Sequence, residues 1–304
     1  MRGRHLSELR FDGRVAIVTG AGRGIGRAYA MLLAARGASV VVNDLGGSIE
    51  GTGSDAGPAS NVAEEITGCG GAALADTSDI ATSSGAQALV DAAIDNFGHL
   101  DIVVNNAGII RWAGFPELDE DNLTQHLAVH TYGSFHVTRA AWPRMVQRNY
   151  GRIVMTTSSG VFGLKNNTSY ATAKAAVIGL TRSLAVAAPK HGILVNLIAP
   201  AAMTRMAGEG DAPEMAPEFV APMAAYLAHE SCPVNGEMYA AGAGRFARIF
   251  LATTPGYVHP GTDVTIEDVA AHWTDINDEA GYSVPKDLPD WSARFLAHLP
   301  KRDA

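Results

Sequence analysis

Residues 15–26 read Val15-Ala16-Ile17-Val18-Thr19-Gly20-Ala21-Gly22-Arg23-Gly24-Ile25-Gly26, an apolar run that passes into a glycine-rich loop. The run is typical of a buried strand, and a helical pattern follows it from Arg23 to Arg36. Glycines at this junction allow a tight turn and let a pyrophosphate approach the backbone, while the helix N-terminus offers free N–H groups and a favourable dipole. The strand–loop–helix order therefore predicts a dinucleotide site. Its predicted residues are Gly20, Arg23, Gly24, Ile25 and Gly26.

The same alternation of apolar runs and helical patterns continues beyond the glycine loop. Strands that are apolar along nearly their whole length fit a parallel sheet that is covered on both faces. The fold class predicted for residues 1–244 is therefore α/β, a doubly wound Rossmann-type domain with a central, mainly parallel sheet and helices on both faces. Further strands are predicted over 39–42, 101–104, 152–155, 193–198 and 237–241, and further helices over 86–96, 123–148 and 169–190.

The pattern breaks after residue 244. Residues 245–304 are rich in Pro, His and Asp and contain two short helical patches, over 266–277 and 290–298. They are few for a separate domain with its own core. We therefore expect a C-terminal extension that packs on the first domain or on a partner subunit.

Composition argues against several classes of function. The 304 residues carry a net charge of −8, whereas a nucleic-acid-binding protein should show a basic face. No apolar run approaches the ~20 residues of a membrane span, and residues 1–14 lack the apolar core of a signal peptide. Cys69 and Cys232 form no metal-ligand pattern. We expect a cytoplasmic protein with reduced thiols and no metal, nucleic acid or membrane partner.

Asp44 ends the second predicted strand and indicates which dinucleotide binds. A carboxylate at this position can accept hydrogen bonds from the adenine-ribose hydroxyls, and it would repel a 2′-phosphate. No arginine or lysine occurs between Val40 and Ala59 to reverse that repulsion. The sequence therefore favours NAD over NADP as cofactor. The alternative is that Asp44 only caps the long loop over residues 46–60, which is rich in Gly, Ser, Asp and Pro.

Tyr170 and Lys174 are spaced to lie on one face of a predicted helix. A free tyrosine titrates near ~10 and is a poor acid or base at neutral pH. A nearby ammonium group favours the phenolate and lowers the pKa of the phenol. The pair can therefore exchange a proton with an alcohol or a carbonyl compound.

Three motifs together resemble the short-chain dehydrogenase/reductase family: the glycine loop, Asn105-Asn106-Ala107-Gly108, and Tyr170-x-x-x-Lys174, in this order. The resemblance covers residues 10 to 244. It implies that Tyr170 is the proton donor or acceptor, and that Lys174 holds the nicotinamide ribose and lowers the pKa of the tyrosine. The cofactor contacts that the resemblance implies come from Asp79, Ile80, Asn106, Ala107, Gly108, Tyr170, Lys174, Pro200, Met203 and Thr204.

Two further catalytic candidates follow from the same resemblance. The family usually places a hydroxyl residue thirteen positions before the tyrosine, which is Thr157 here, with Ser158 next to it. Spacing favours Thr157 and chemistry favours Ser158, and the other hydroxyl would act as a cap. His130 occupies a position where many members have asparagine in a proton relay. An imidazole can both donate and accept, so a relay role and a satisfied, partly buried helix histidine are both open.

A closer resemblance is to the (3R)-hydroxyacyl-CoA dehydrogenase branch of the family, found in peroxisomal multifunctional enzymes, with relatives in steroid-degrading bacteria. It rests on residues 42–47, 133–142, 219–222 and 229–232. It implies an NAD-dependent oxidoreductase that interconverts a secondary alcohol and a ketone, on a hydroxyacyl-CoA or a steroid. It also implies a homodimer or homotetramer.

Other interpretations are open at this point. A hydroxysteroid or terpenoid alcohol dehydrogenase is the alternative enzyme, and an NAD-binding regulator or a structural subunit of a β-oxidation assembly are the alternatives without catalysis. An apolar substrate pocket is one interpretation of Trp112, Phe115, Phe162 and Leu164, and core packing is the other. Surface charge is the simpler explanation for the cations that could meet coenzyme A phosphates, which are Arg111, Lys165, Arg205, Arg245 and Arg248.

Overall fold

One eight-stranded sheet forms the centre of the fold in the computed structural model, which describes residues 7–206, 208 and 212–299. Its strands are β1 Val15–Thr19, β2 Ser39–Asn43, β3 Ala72–Asp76, β4 Ile102–Asn105, β5 Gly151–Thr156, β6 Ile193–Pro200, β7 Met238–Gly242 and β8 Arg245–Ile249. They lie in the order β3-β2-β1-β4-β5-β6-β7-β8, and each neighbouring pair from β3 to β7 is parallel. The predicted α/β class with a mainly parallel sheet is confirmed.

Helices connect the parallel strands and cover the sheet. The α-helices are α1 Gly24–Ala35, α2 Gly57–Gly68, α3 Ser83–Phe97, α4 Glu120–His126, α5 Gly133–Arg148, α6 Thr168–Ala187, α7 Ala221–Ala228, α8 Ile266–Ala271, α9 Trp273–Asn277 and α10 Leu288–Phe295. A π-helical turn over Leu127–Tyr132 joins α4 to α5. The helix predicted over 123–148 therefore consists of α4, the π-helical turn and α5 in succession. The π-helical turn widens the helix beside the candidate active site.

Burial explains why these strands form a parallel sheet. Every residue of β1 and β4 is buried, and Leu33 of α1 packs with Val18 and Val40 in the main apolar core. The strand order reverses between β1 and β4, so the connections leave the sheet in opposite directions there. A crevice forms at such a point, outside the carboxyl ends of the strands.

The sequence patterns did not predict α2 and β3. Residues 72–76 read Ala-Ala-Leu-Ala-Asp and lack the β-branched and aromatic residues that mark strands, so their pairing with β2 comes from tertiary packing. The composition predicts that residues 57–60 belong to the long loop, because Gly57 and Pro58 are typical of turns. Proline is tolerated in the first turn of a helix, and α2 begins there.

The chain divides into two compact units, Met1–Arg248 and Ile249–Ala304. In the first unit, β7 passes into β8 through Ala243 and Gly244, whose φ values of 49° and 71° are those of a two-residue hairpin turn. In the second unit, the described residues 250–299 include no fully buried side chain, and Thr265 forms a capping box with Asp268 at the start of α8.

The described residues offer no candidate for a membrane span or for a metal-ion site. No described helix is long and apolar enough to cross a membrane. Among the same residues, no cluster of His, Cys, Asp and Glu side chains could hold a metal ion.

Candidate active site

A cleft of about 420 Å³ lies at the carboxyl ends of β1, β2 and β4, where the strand order reverses. Two of the predicted cofactor residues, Pro200 and Met203, are not among the residues that line the cleft. Pro200 ends β6, and the Met203 N–H donates to the Met215 carbonyl at 2.7 Å. The predicted cofactor residues that line the cleft are Gly20, Arg23, Gly24, Ile25, Gly26, Asp44, Asp79, Ile80, Asn106, Ala107, Gly108 and Thr204.

The glycine loop is fixed to the segment after β4. Gly20 has a φ of +64°, and a Cβ there would lie 2.7 Å from the Ala107 Cα. The Asn106 Nδ2 donates to the Thr19 carbonyl at 2.9 Å, and the Ala107 N–H donates to the Thr19 hydroxyl at 3.1 Å. A Cβ on Gly26 would collide with the Gly20 carbonyl. The loop therefore needs these glycines to lie against its neighbour and leave space for a ligand.

Asp44 lies in the cleft and also caps its loop. Its Oδ2 accepts from the Gly22 N–H at 2.9 Å and its Oδ1 accepts from the Gly46 N–H at 2.7 Å. A carboxylate oxygen has two lone pairs, so each oxygen can accept a further bond from a ribose hydroxyl. Asp44 can therefore cap its loop and accept hydrogen bonds from the adenine ribose at the same time.

Two arginines share the cleft with Asp44. The Nη1 of Arg23 is buried without a hydrogen-bond partner, and Arg205 also lines the cleft. Burial, followed by the charge of Arg23, lowers the pKa of Arg205, while the charge of Asp44 acts in the opposite direction. A buried guanidinium donor without a partner fits an anionic ligand, so these residues fit a dinucleotide with its phosphates. Arg205, a sequence candidate for contact with coenzyme A phosphates, thus lines the predicted dinucleotide cleft.

Residues 45–55, here called the β2 strap, follow β2 and run towards the segment after β4. Its Ile49 carbonyl accepts from the Ile110 N–H at 2.8 Å, and its Gly47 carbonyl accepts from Arg205 at 3.3 Å. Within the strap, the Ser48 N–H donates to the Thr52 carbonyl at 2.8 Å. The strap is therefore bonded to two distant segments that border the cleft.

Ser158, Tyr170 and Lys174 meet at the carboxyl end of β5. Ser158 acts on the Tyr170 phenol and lowers its pKa, and the Lys174 Nζ lies 5.6 Å from the centroid of the Tyr170 ring. The Lys174 Nζ donates to the Thr156 carbonyl at 2.8 Å. The Thr157 hydroxyl instead donates to the Lys174 carbonyl at 2.9 Å and is completely buried. Of the two candidate hydroxyls, Ser158 is the one beside the phenol.

The pKa shifts at this site differ from the sequence expectation. Burial raises the pKa of Tyr170, and only the bond from Ser158 acts in the opposite direction. Burial also lowers the pKa of Lys174 to about 7. Lys174 is not among the causes of the Tyr170 shift, because a lysine with a pKa of about 7 is neutral at the higher pH where the phenol titrates.

His130 lies beside Tyr170, with ring centroids 5.2 Å apart and ring planes at 87°. Its Nε2 lies 2.9 Å from the Ile109 carbonyl, while its Nδ1 is buried without a partner. Burial, followed by the charge of Lys174, lowers the pKa of His130 well below its usual value. A Cβ on Gly108 would collide with the imidazole ring, so this glycine makes room for the histidine.

Exposed aromatic and apolar side chains follow the segments on either side of the site. Ala113 forms a bridge with Asn167, which brings the two segments together. Core packing, one of the two interpretations of these side chains, is wrong because more than half of each side chain's surface is exposed. The side chains are Trp112, Phe115, Phe162 and Leu164.

The cations considered for coenzyme A lie in different surroundings. Arg111 is bonded to Asp121 at 2.6 Å, and Arg248 is bonded to Glu237 at 2.7 Å. Lys165 and Arg245 are exposed.

Comparison with known proteins gives one consistent family. The family model described as short chain dehydrogenase matches residues 14–214. A short-chain type dehydrogenase/reductase of Mycobacterium tuberculosis is 44% identical over 276 residues, which is 89% of this chain and 96% of that protein.

Two solved structures have the same fold. Full-length peroxisomal multifunctional enzyme type 2 from Drosophila melanogaster aligns with a TM-score of 0.80 and 34% identity, over 95% of this chain and 50% of that chain. The present chain thus spans about half the length of that enzyme. A 7α-hydroxysteroid dehydrogenase in complex with NADH and 7-oxo glycochenodeoxycholic acid aligns with a TM-score of 0.70 and 32% identity, over 77% of this chain and 95% of that chain.

Proposed function

The chain belongs to the short-chain dehydrogenase family, and from that membership we propose that it is an NAD-dependent oxidoreductase that interconverts a (3R)-hydroxyacyl-CoA and its ketone. The observation that carries the proposal is the meeting of Ser158, Tyr170 and Lys174 beside a cleft lined by the glycine loop. A proton-transferring phenol, a hydrogen-bond donor and an ammonium group are what an alcohol needs in order to lose its proton as the carbon is oxidised.

Each side chain has one role in the proposed reaction. The Tyr170 phenolate accepts the proton of the substrate hydroxyl, and the Ser158 hydroxyl donates a hydrogen bond to the same substrate oxygen. Lys174 would hold the ribose of the bound cofactor. In reduction, Tyr170 returns the proton to the oxygen. When bound, the oxidised dinucleotide would supply the hydride acceptor and a positive charge that favours the phenolate.

For His130, we propose an alternative to the proton-relay role that the family resemblance implies. Its Nε2 is already bonded to Ile109, and its lowered pKa keeps it neutral near pH 7. These two features favour a role in supporting the Tyr170 ring over a role in carrying protons.

The choice of NAD over NADP rests on Asp44. Its carboxylate lines the cleft at the end of β2 and has lone pairs left for ribose hydroxyls. Arg23 and Arg205 stand nearby and could attract a 2′-phosphate, so the two dinucleotides must be compared directly.

The similarity to a peroxisomal multifunctional enzyme over nearly all of this chain supports an acyl-CoA substrate. A hydroxysteroid is the second candidate, and one observation favours it. The exposed side chains of Trp112, Phe115, Phe162 and Leu164 are apolar, which suits an apolar ring system.

Turnover with a substrate panel tests the proposal. The substrates are (3R)- and (3S)-hydroxyacyl-CoA and a hydroxysteroid, each with NAD and with NADP, followed by the absorbance of the reduced nicotinamide. We expect the highest kcat/KM for the (3R)-hydroxyacyl-CoA with NAD. Preference for the steroid would select the second candidate, and lack of turnover with every pair would overturn the proposal.

A further inference from the structure

Three side chains at four-residue spacing bind one extended segment beside the active site. Asn122, His126 and His130 lie on α4 and the π-helical turn that follows it. The Asn122 Nδ2 donates to the Arg111 carbonyl at 3.1 Å, and the Arg111 N–H donates to the His126 Nε2 at 3.2 Å. The His130 Nε2 is bonded to the Ile109 backbone. One edge of the segment 109–111 is therefore held by side chains.

The opposite edge of this segment meets the β2 strap. The Ile110 N–H donates to the Ile49 carbonyl at 2.8 Å, and Ile109 lines the cofactor cleft. The segment also continues into Trp112 and the exposed apolar side chains. A displacement of residues 109–111 would therefore alter the cofactor cleft, the β2 strap and the substrate side of the site at the same time.

The hydrogen bonds of His126 fix its protonation state. The Asn122 carbonyl, 2.8 Å from Nδ1, can only accept, so Nδ1 carries a proton. The Arg111 N–H can only donate, so Nε2 must present a lone pair. These two bonds require the neutral ring with its proton on Nδ1. A second proton on Nε2 would remove the acceptor that Arg111 uses.

His126 is placed where its state reaches the catalytic phenol. Its ring is completely buried, stacks on His130 at 5.9 Å and meets the Tyr170 ring edge-on at 6.3 Å. Burial lowers the pKa of His126, the bond to the Asn122 carbonyl acts in the opposite direction, and the charges of Arg111 and Lys174 lower the pKa further. Arg111 is in turn paired with Asp121 of α4.

We infer that His126 is a positioning residue whose neutral ring holds the segment 109–111 and, through it, the wall against which Tyr170 packs. Protonation of His126 releases the Arg111 N–H and loosens the segment. This inference rests on the proposed function for its catalytic consequence, whereas the holding of the segment can be measured without catalysis.

The test compares His126→Leu, His126→Gln and a matched control, His229→Gln. The leucine removes both hydrogen bonds, whereas the glutamine oxygen can accept from the Arg111 N–H and cannot gain a charge near neutral pH. His229 is also a buried histidine whose two ring nitrogens are both hydrogen-bonded, Nδ1 to Ser231 and Nε2 to the Arg10 carbonyl, and it lies outside the site.

The readout is the pH profile of ketone reduction, because Tyr170 stays protonated in this direction over the acid range. We expect His126→Leu to lower kcat/KM on the order of tenfold to a hundredfold at pH 8, since small displacements of a reacting group are costly. The wild type should lose activity at a pH below the ordinary histidine pKa of ~6.5, because the pKa of His126 is lowered, and His126→Gln should remove this acid limb whereas His229→Gln should keep it. An unchanged acid limb in His126→Gln would overturn the inference.

Hydrogen exchange separates this inference from the proposed function. Amide exchange of the peptide over 109–112 should be faster in His126→Leu than in the wild type and unchanged in His229→Gln. If the wild type reduces no ketone, the proposed function fails while this exchange result still tests the hold on the segment. Equal protection in His126→Leu and the wild type would overturn the inference regardless of activity.

Discussion

Ser158 acts on the Tyr170 phenol and lowers its pKa, whereas the Thr157 hydroxyl donates to the Lys174 carbonyl. We therefore expect Ser158→Ala to lower kcat about 100-fold or more, because it removes a donor to the substrate oxygen. It should also move the alkaline rise of oxidation to higher pH, because the Ser158 bond lowers the pKa of Tyr170. Steady-state rates against pH measure both effects.

Thr157→Val is the matched variant. It should keep kcat within a few-fold and lower the free energy of unfolding by about 1 kcal/mol, the usual contribution of one buried hydrogen bond. The reverse pattern, with the valine variant inactive and the alanine variant active, would assign the catalytic hydroxyl to Thr157.

Lys174 gives a prediction about stability. Because burial lowers its pKa to about 7, the folded protein binds fewer protons at this site than the unfolded chain between pH 7 and pH ~10. Its unfavourable burial is therefore fully present below pH 7 and fades as pH rises. Lys174→Met should abolish turnover yet raise the free energy of unfolding at pH 6 by about 1–3 kcal/mol.

Urea unfolding at pH 6 and pH 9 measures this effect. The gain should shrink at the higher pH, and the exposed Lys190→Met should show no such trend. A gain that is equal at both pH values would contradict the account.

Individual site residues could be predicted where they lie next to a recognisable strand or helix in the sequence. The glycine loop and Asp44 follow predicted strands directly, so strand order alone brought them to one crevice. His126 and Arg205 could not be found in this way, because their roles depend on contacts with Arg111 and Gly47, segments that no periodicity connects to them. The sign of the pKa shift of Tyr170 depends on burial, which the sequence does not report.

At the scale of elements, the β2 strap should control how fast the cofactor leaves. The Ser48 hydroxyl is bonded to the Thr52 hydroxyl at 3.0 Å and accepts from the Glu50 N–H at 3.2 Å. Ser48→Ala should raise the dissociation rate of NADH about threefold to tenfold, since neutral hydrogen bonds contribute about 0.5–1.5 kcal/mol each. Stopped-flow release followed by nicotinamide fluorescence measures the rate.

Ser54→Ala is the control within the same strap, because Ser54 is an exposed serine. It should leave the release rate unchanged. Equal release rates for the wild type and Ser48→Ala would show that the strap does not restrain the cofactor.

Most strands and helices could be predicted because the parallel sheet imposes apolar runs of strand length. The edge element β3 was missed because alanines carry little strand preference, and α2 was missed because its first residues have turn chemistry. In both cases packing against β2 decided the structure. The π-helical turn inside the predicted long helix could not be predicted either, because helical periodicity in the sequence does not reveal a single wide turn.

At the scale of the whole molecule, the C-terminal unit is where we propose contact with another surface. Ile266 of α8 is 84% exposed and Leu288 of α10 is 71% exposed. Such side chains favour an interface. If the protein is a homodimer or homotetramer held in part by this unit, Ile266→Ser with Leu288→Ser should lower the apparent mass at micromolar concentration.

Sedimentation velocity over a concentration series measures this change. Glu267→Gln, a polar substitution at an exposed position of the same helix, should leave the mass unchanged. An unaltered assembly in the serine variant would place the oligomer contacts elsewhere.

Tyr170→Phe tests the central claim most directly, because it removes the one oxygen through which the proton is transferred. The measurement pairs the kcat of (3R)-hydroxyacyl-CoA oxidation with the Kd for NADH from fluorescence titration. We predict that kcat falls about 100-fold to 10,000-fold, the usual contribution of acid–base catalysis, while Kd stays within a few-fold of the wild type. Turnover close to that of the wild type in Tyr170→Phe would contradict the account.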